Sequence, residues 1–238
     1  MMPATEPRES PFWTYEDLGL FVGSLIPVFL LALGMVRVIP FPKGAVGAMV
    51  YQSLIYTLLL GVLYVVVAWR YARPFWASLG WTTFRLPFLC AAAGPLLAVS
   101  TSTLGILLKA PPIPSPIEDL ISDRRSLFIM MLFLTVFGPV FEELVFRGFL
   151  FPLLARSVGP WPGILLAATP FALVHGSQYH WSWQHLTVVG LAGVVFGFAR
   201  YKTESTAAAT LVHTGYNATL FIAFLVQKSL ELDNSRNL

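Results

Sequence analysis

An all-α bundle of transmembrane helices is the fold class this sequence predicts, and three observations predict it. Only 11% of its 238 residues are charged and 56% are hydrophobic, against about 25% charged in an ordinary soluble domain. Mean hydropathy is +0.72. The apolar residues fall in long continuous runs and lack the alternation of a membrane β-barrel. The net charge of +3 is small and spread over the loops, which gives no footing for nucleic acid. Cys90 is the only cysteine, so an internal disulfide and a cysteine-based metal cluster are excluded.

The opening residues, MMPATEPRESPFWTY (1–15), lack the basic start and short apolar core of a cleaved signal peptide. They read as a polar amino-terminal tail. Residues 16–228 read as one membrane-embedded domain and 229–238 as a carboxy-terminal tail. Seven apolar segments lie at roughly 18–38, 47–69, 87–108, 127–155, 161–177, 185–199 and 205–227, and the loops leave room for an eighth. A span needs about 20 residues at 1.5 Å each, so the fifth and sixth are short. All seven tryptophans (13, 69, 76, 81, 161, 181 and 183) stand at or just outside the segment edges, as an aromatic belt requires. RYARPFWASLGWTTFR (70–85) reads as a headgroup-level connection. KAPPIPSPIEDLISDRRS (109–126) reads as a loop with one short amphipathic turn. Lys and Arg divide evenly between the two sides of a seven-span arrangement, so charge does not set its orientation.

The fourth segment carries FGPVFEELVFRGFLF (137–151). Glu142 and Glu143 are the two acids deep inside a segment, and Arg147 is the one base there. A charge at the bilayer centre costs on the order of 3 kcal/mol, so such residues face an interior cavity and have partners. Glu143 and Arg147 are i,i+4 neighbours in the favoured order and can neutralise each other. Glu142 is turned about 100° away, and its own i+4 neighbour is Phe146. Glu142 is thus the acid left free for proton chemistry. The Gly138–Pro139 pair one turn earlier removes a backbone hydrogen bond and kinks the helix.

Two of the four histidines lie inside apolar segments. His175 ends FALVH, with Phe171 one turn earlier, and His213 shares a face with Asn217 at i,i+4. The midpoint between Glu142 and His175 falls in RSVGPWPG (156–163), the most turn-like stretch nearby. An antiparallel hairpin about that turn sets both residues about 20 Å from one membrane face, while His213 counts to about 10–15 Å. The glycine series Gly190, Gly193 and Gly197 in the sixth segment reads as helix packing. HExxH is absent, as is any aspartate within a segment.

Four elements therefore line up in order: EELVFR (142–147), FALVH (171–175), the glycine-spaced segment and HTGYN (213–217). The set resembles the CPBP family of intramembrane proteases, which includes CAAX prenyl-protein endopeptidases and bacteriocin-processing enzymes. The family pattern is EExxxR, FxxxH, then HxxxN or HxxxD. The resemblance covers about residues 127–225, and the first three segments add only hydrophobicity.

The resemblance implies an intramembrane glutamic endopeptidase with a buried polar cavity. By it, Glu142 activates the attacking water, His175 shares that water, and His213 and Asn217 stabilise the oxyanion. Glu143, Arg147 and Phe171 support them. It implies no cofactor; the alternative is Zn²⁺ on Glu142, His175 and His213. The expected partners are the lipid bilayer and a membrane protein or a lipidated or hydrophobic peptide substrate, in a bacterial or archaeal inner membrane. A non-catalytic immunity or transport protein is the rival of another class.

Overall fold

A computed structural model describes residues 11–42, 44–113 and 123–236, the side chains of residues 45 and 231–236 excepted. The described secondary structure is helical. Helices α1 (Tyr15–Gly23) and α2 (Leu25–Val38) form one run interrupted at Ser24. α3 (Gly44–Tyr64) continues into a π-helical turn, Val65–Trp69. A short α4 (Phe75–Ser78) leads to α5 (Pro87–Leu107). α6 (Arg124–Val158) is the central helix, followed by α7 (Pro160–Val174), α8 (Trp183–Thr203) and α9 (Thr206–Arg236).

Five of these runs are long and apolar enough to cross a membrane among the described residues: Tyr15–Val38, Val46–Trp69, Pro87–Leu107, Arg124–Val158 and Thr206–Leu230. All seven apolar segments are helical, but the fifth and sixth do not meet that standard. α7 has only 15 residues, about 22 Å of rise. α8 reaches 21 residues by taking in the polar ends that the apolar reading excluded. The side chains of Phe88, Leu96, Val99 and Ile106 on α5 point outward and are more than half exposed. Such a surface belongs in lipid and not in water. The amphipathic turn expected within 109–126 lies largely outside the described residues, at 114–122. The tail expected at 229–238 is helical as far as Arg236.

The amino-terminal tail reading is corrected at its described end. Trp13 is 1% exposed, and its indole N–H donates to the Phe149 carbonyl at 3.1 Å. It is a core residue and no part of the aromatic belt, whereas Trp69, Trp76, Trp161, Trp181 and Trp183 are exposed as a belt requires. Arg156 ties the same stretch down through the Pro11 and Trp13 carbonyls. Asp17, the second acid of α1 after Glu16, is fully buried. It accepts from the Thr14 N–H and the Tyr71 hydroxyl and pairs with Arg70, so the end of the bundle is clamped.

α6 departs most from a regular helix. It alternates α segments, Arg124–Leu132, Gly138–Glu143 and Phe151–Val158, with π-helical ones, Phe133–Phe137 and Leu144–Leu150. π-helical insertions mark functional segments more often than chance. Gly159 then turns the chain back at φ +85, a conformation open to glycine and strained for other residues. Pro160 starts α7 at its first position, where no N–H is needed. α9 packs chiefly on α5, and Gly94 lets them meet: a Cβ there would lie 2.5 Å from the Val212 carbonyl oxygen. α6, α7, α8 and α9 enclose an aromatic core around Phe171 and Phe196.

Candidate active site

Glu142 and Glu143 end the middle α segment of α6, directly before the second π segment. Their side chains diverge as helical geometry requires. Glu143 is fully buried. Its Oε1 accepts from the Arg147 Nη1–H at 2.9 Å and is 2.9 Å from His213 Nδ1. Because a carboxylate accepts and does not donate, Nδ1 carries the proton here. The Arg147 guanidinium also donates from Nη2 to the Gly193 carbonyl at 2.7 Å. It lies 4.5 Å from the centre of the Phe171 ring and 5.4 Å from that of Phe196. The buried cation is thus met by a carboxylate, a carbonyl and two aromatic faces, which is how such a charge is tolerated. The i,i+4 pairing read from the sequence is present, and His213 joins it as a third member.

Glu142 is placed differently. Its Oε1 accepts from the Tyr56 hydroxyl of α3 at 3.2 Å. Its Oε2 lies 3.8 Å from His213 Nε2. His213 therefore stands between the two acids, one ring nitrogen toward each. Its ring is held flat against Phe196, with centroids 4.3 Å apart and planes 18° from parallel, and edge-on to Phe171. The sequence reading aimed Glu142 at His175. Among the described residues Glu142 makes its contacts with Tyr56 and His213, and no hydrogen bond or ion pair joins it to His175. The hairpin count assumed a uniform helix on each side of the turn, but π segments change the rise and facing of α6.

His175 caps the carboxy-terminal end of α7. Its Nδ1 bonds the Phe171 carbonyl at 2.8 Å, so Nδ1 is the protonated nitrogen and Nε2 is left as acceptor. Its ring lies 5.0 Å from the Phe171 ring. Phe171 thus touches Arg147, His175 and His213 and sets their spacing.

Asn217 donates from Nδ2 to the Leu134 carbonyl at 2.8 Å. The backbone explains why that carbonyl is available. The Gly138 N–H serves Phe133, five residues back. In this register the next donor, for Leu134, is residue 139, and Pro139 has no N–H. Asn217 supplies what the proline cannot, and keeps a second amide N–H.

Three site residues escaped the sequence reading. Gly193 is more than packing, since its carbonyl binds Arg147 and a Cβ there would sit 2.9 Å from Phe171 Cδ1. Phe196 had no signal beyond hydrophobicity. Tyr56 belongs to a segment taken to add only hydrophobicity. Its one hint was a polar line with Gln52, one turn earlier on the same face. For the zinc alternative, no group of three or more His, Cys, Asp and Glu side chains is gathered to hold a metal ion among the described residues. The described donors thus do not form a zinc ligand set.

Residues 124–219 match the family model of Rce1-like type II CAAX prenyl endopeptidases. The Rce1-like segment starts at the first residue of α6 and ends two residues past Asn217. It contains Glu142, Glu143, Arg147, Phe171, His175, His213 and Asn217, and it agrees with the resemblance carried by the motifs. The match to an Rce1-like family points to a CAAX-type membrane peptidase. α1 to α5, and Tyr56 with them, lie outside it. No curated protein and no solved structure matches the chain.

Proposed function

We propose that this protein is an intramembrane glutamic endopeptidase that hydrolyses a peptide bond of a membrane-associated, lipidated or hydrophobic substrate in a bacterial or archaeal cell membrane. One observation carries the reading. Within the Rce1-like segment, Glu142 Oε2 faces His213 Nε2 at 3.8 Å, too far for a direct hydrogen bond and suited to one shared water.

Glu142 is the general base, taking a proton from that water as its oxygen attacks the scissile carbonyl. His213 is held by Glu143 in the tautomer that presents the Nε2 lone pair to the same water, as a buried carboxylate does for a catalytic histidine elsewhere. Protonated Glu142 then gives that proton to the leaving amine, and His175, with its Nε2 lone pair free as acceptor, shares in the transfer. The second N–H of Asn217 is the oxyanion donor. The site works without a metal.

The test is cleavage of a peptide library that includes prenylated carboxy-terminal tails, in detergent, by wild type and by Glu142→Gln. Cleavage by wild type alone supports the protease reading. Equal behaviour of the two sinks it in favour of an immunity or transport protein. Loss of activity with a chelator, restored by zinc, would overturn the metal-free mechanism.

A further inference from the structure

We propose that Tyr56 of α3 is a positioning residue that latches Glu142 and reserves its Oε2 for the reaction. The inference builds on the reading of Glu142 as the base, but the contact that carries it does not.

Tyr56 reaches the site from outside the Rce1-like segment. Its ring stacks on Phe141 with centroids 3.9 Å apart and planes 14° from parallel, and on Phe133 at 5.7 Å and 20°. Phe133 and Phe141 lie on either side of the Gly138–Pro139 break in α6. One flat ring therefore bridges the π segment before Gly138–Pro139 and the α segment after it. From that ring the hydroxyl donates to Glu142 Oε1 at 3.2 Å.

A carboxylate has two oxygens and a freely rotating end. The Tyr56 bond occupies Oε1, and Oε2 is thereby turned toward His213 Nε2. Without the hydroxyl the two oxygens become interchangeable and the carboxylate loses its preferred rotamer. A site-directed base works through such fixed placement, and small misplacements are costly in rate.

Tyr56→Phe removes the hydroxyl and keeps the stacked ring. Tyr51→Phe is the control on the same helix, because the Tyr51 hydroxyl is buried without a hydrogen-bond partner among the described residues. Two readouts are needed. The first is kcat and KM on the cleaved peptide: Tyr56→Phe should lower kcat about tenfold with KM unchanged, the signature of an interaction that matters at the transition state. The second is activity-independent: the rate at which a hydrophobic carbodiimide modifies Glu142, followed by peptide mass mapping. Freeing Oε1 should raise that rate at least about threefold, while Tyr51→Phe leaves it at the wild-type value. Unchanged labelling in Tyr56→Phe overturns the latch. Raised labelling with unchanged kcat overturns its role in the reaction. If wild type cleaves nothing while labelling rises in Tyr56→Phe, the protease reading fails and the latch stands.

Discussion

His213 donates from Nδ1 to Glu143 Oε1 at 2.9 Å and turns its other ring nitrogen to Glu142. One acid holds the histidine and the other faces it at 3.8 Å. The two glutamates are neighbours in sequence, yet they should respond differently to substitution.

Glu143→Ala leaves Arg147 buried without its counter-charge. Breaking a buried ion pair from one side costs about 3–5 kcal/mol, so thermal unfolding in detergent should fall steeply and cleavage should vanish with it. Glu142→Ala should abolish cleavage with an unfolding temperature close to wild type, since Glu142 is hydrogen-bonded but belongs to no buried ion pair with Arg147. Equal destabilisation by both would contradict the division of roles.

His175→Ala should also abolish cleavage while leaving stability little changed. Its ring is half-buried at the end of α7 and, among the described residues, hydrogen-bonds within its own helix. Circular dichroism melts beside a cleavage assay separate this outcome from a folding defect.

Asn217→Ala has two consequences. On the proposed mechanism it removes an oxyanion donor, typically about 10²–10³ in rate, and it orphans the Leu134 carbonyl at a cost of about 1–3 kcal/mol. Pro139→Ala restores a backbone N–H at the residue where the π register needs one. In the double variant the stability loss from Asn217→Ala should therefore shrink by about 1 kcal/mol, while the rate loss remains. Additive unfolding energies would show that Asn217 does not serve that carbonyl.

Gly193→Ala and Gly190→Ala form a pair of opposite expectation on one helix. At Gly193 the added methyl meets Phe171 and the Arg147 guanidinium at 2.9 and 3.2 Å, and overpacking there should cost about 1–3 kcal/mol. At Gly190 it meets Ala172 Cβ at an ordinary 3.6 Å, and the variant should behave as wild type in melts and cleavage.

Much of this molecule is legible in sequence, for physical reasons that differ by residue. Hydropathy shows the helices because a bilayer punishes polar runs. The Glu143–Arg147 pair is legible because four residues on a helix are neighbours in any context. The placement of Glu142 is not, because its partners Tyr56 and His213 lie on other helices and α6 is not a regular helix in between. Trp13 misleads for the converse reason: a tryptophan near a helix end suits both an interface and a core, and only packing distinguishes them. Gly193 and Phe196 carry no chemistry of their own and become site residues through what they touch.

The broken stretch of α6 cannot complete its own hydrogen bonding. The Leu134 carbonyl waits for Asn217, which follows it by 83 residues in the chain and stands on α9. Glu143 likewise waits for His213. A nascent chain therefore holds its acids in an unfinished enclosure until α9 arrives, and that one helix both mends the backbone and closes the cluster around the two glutamates.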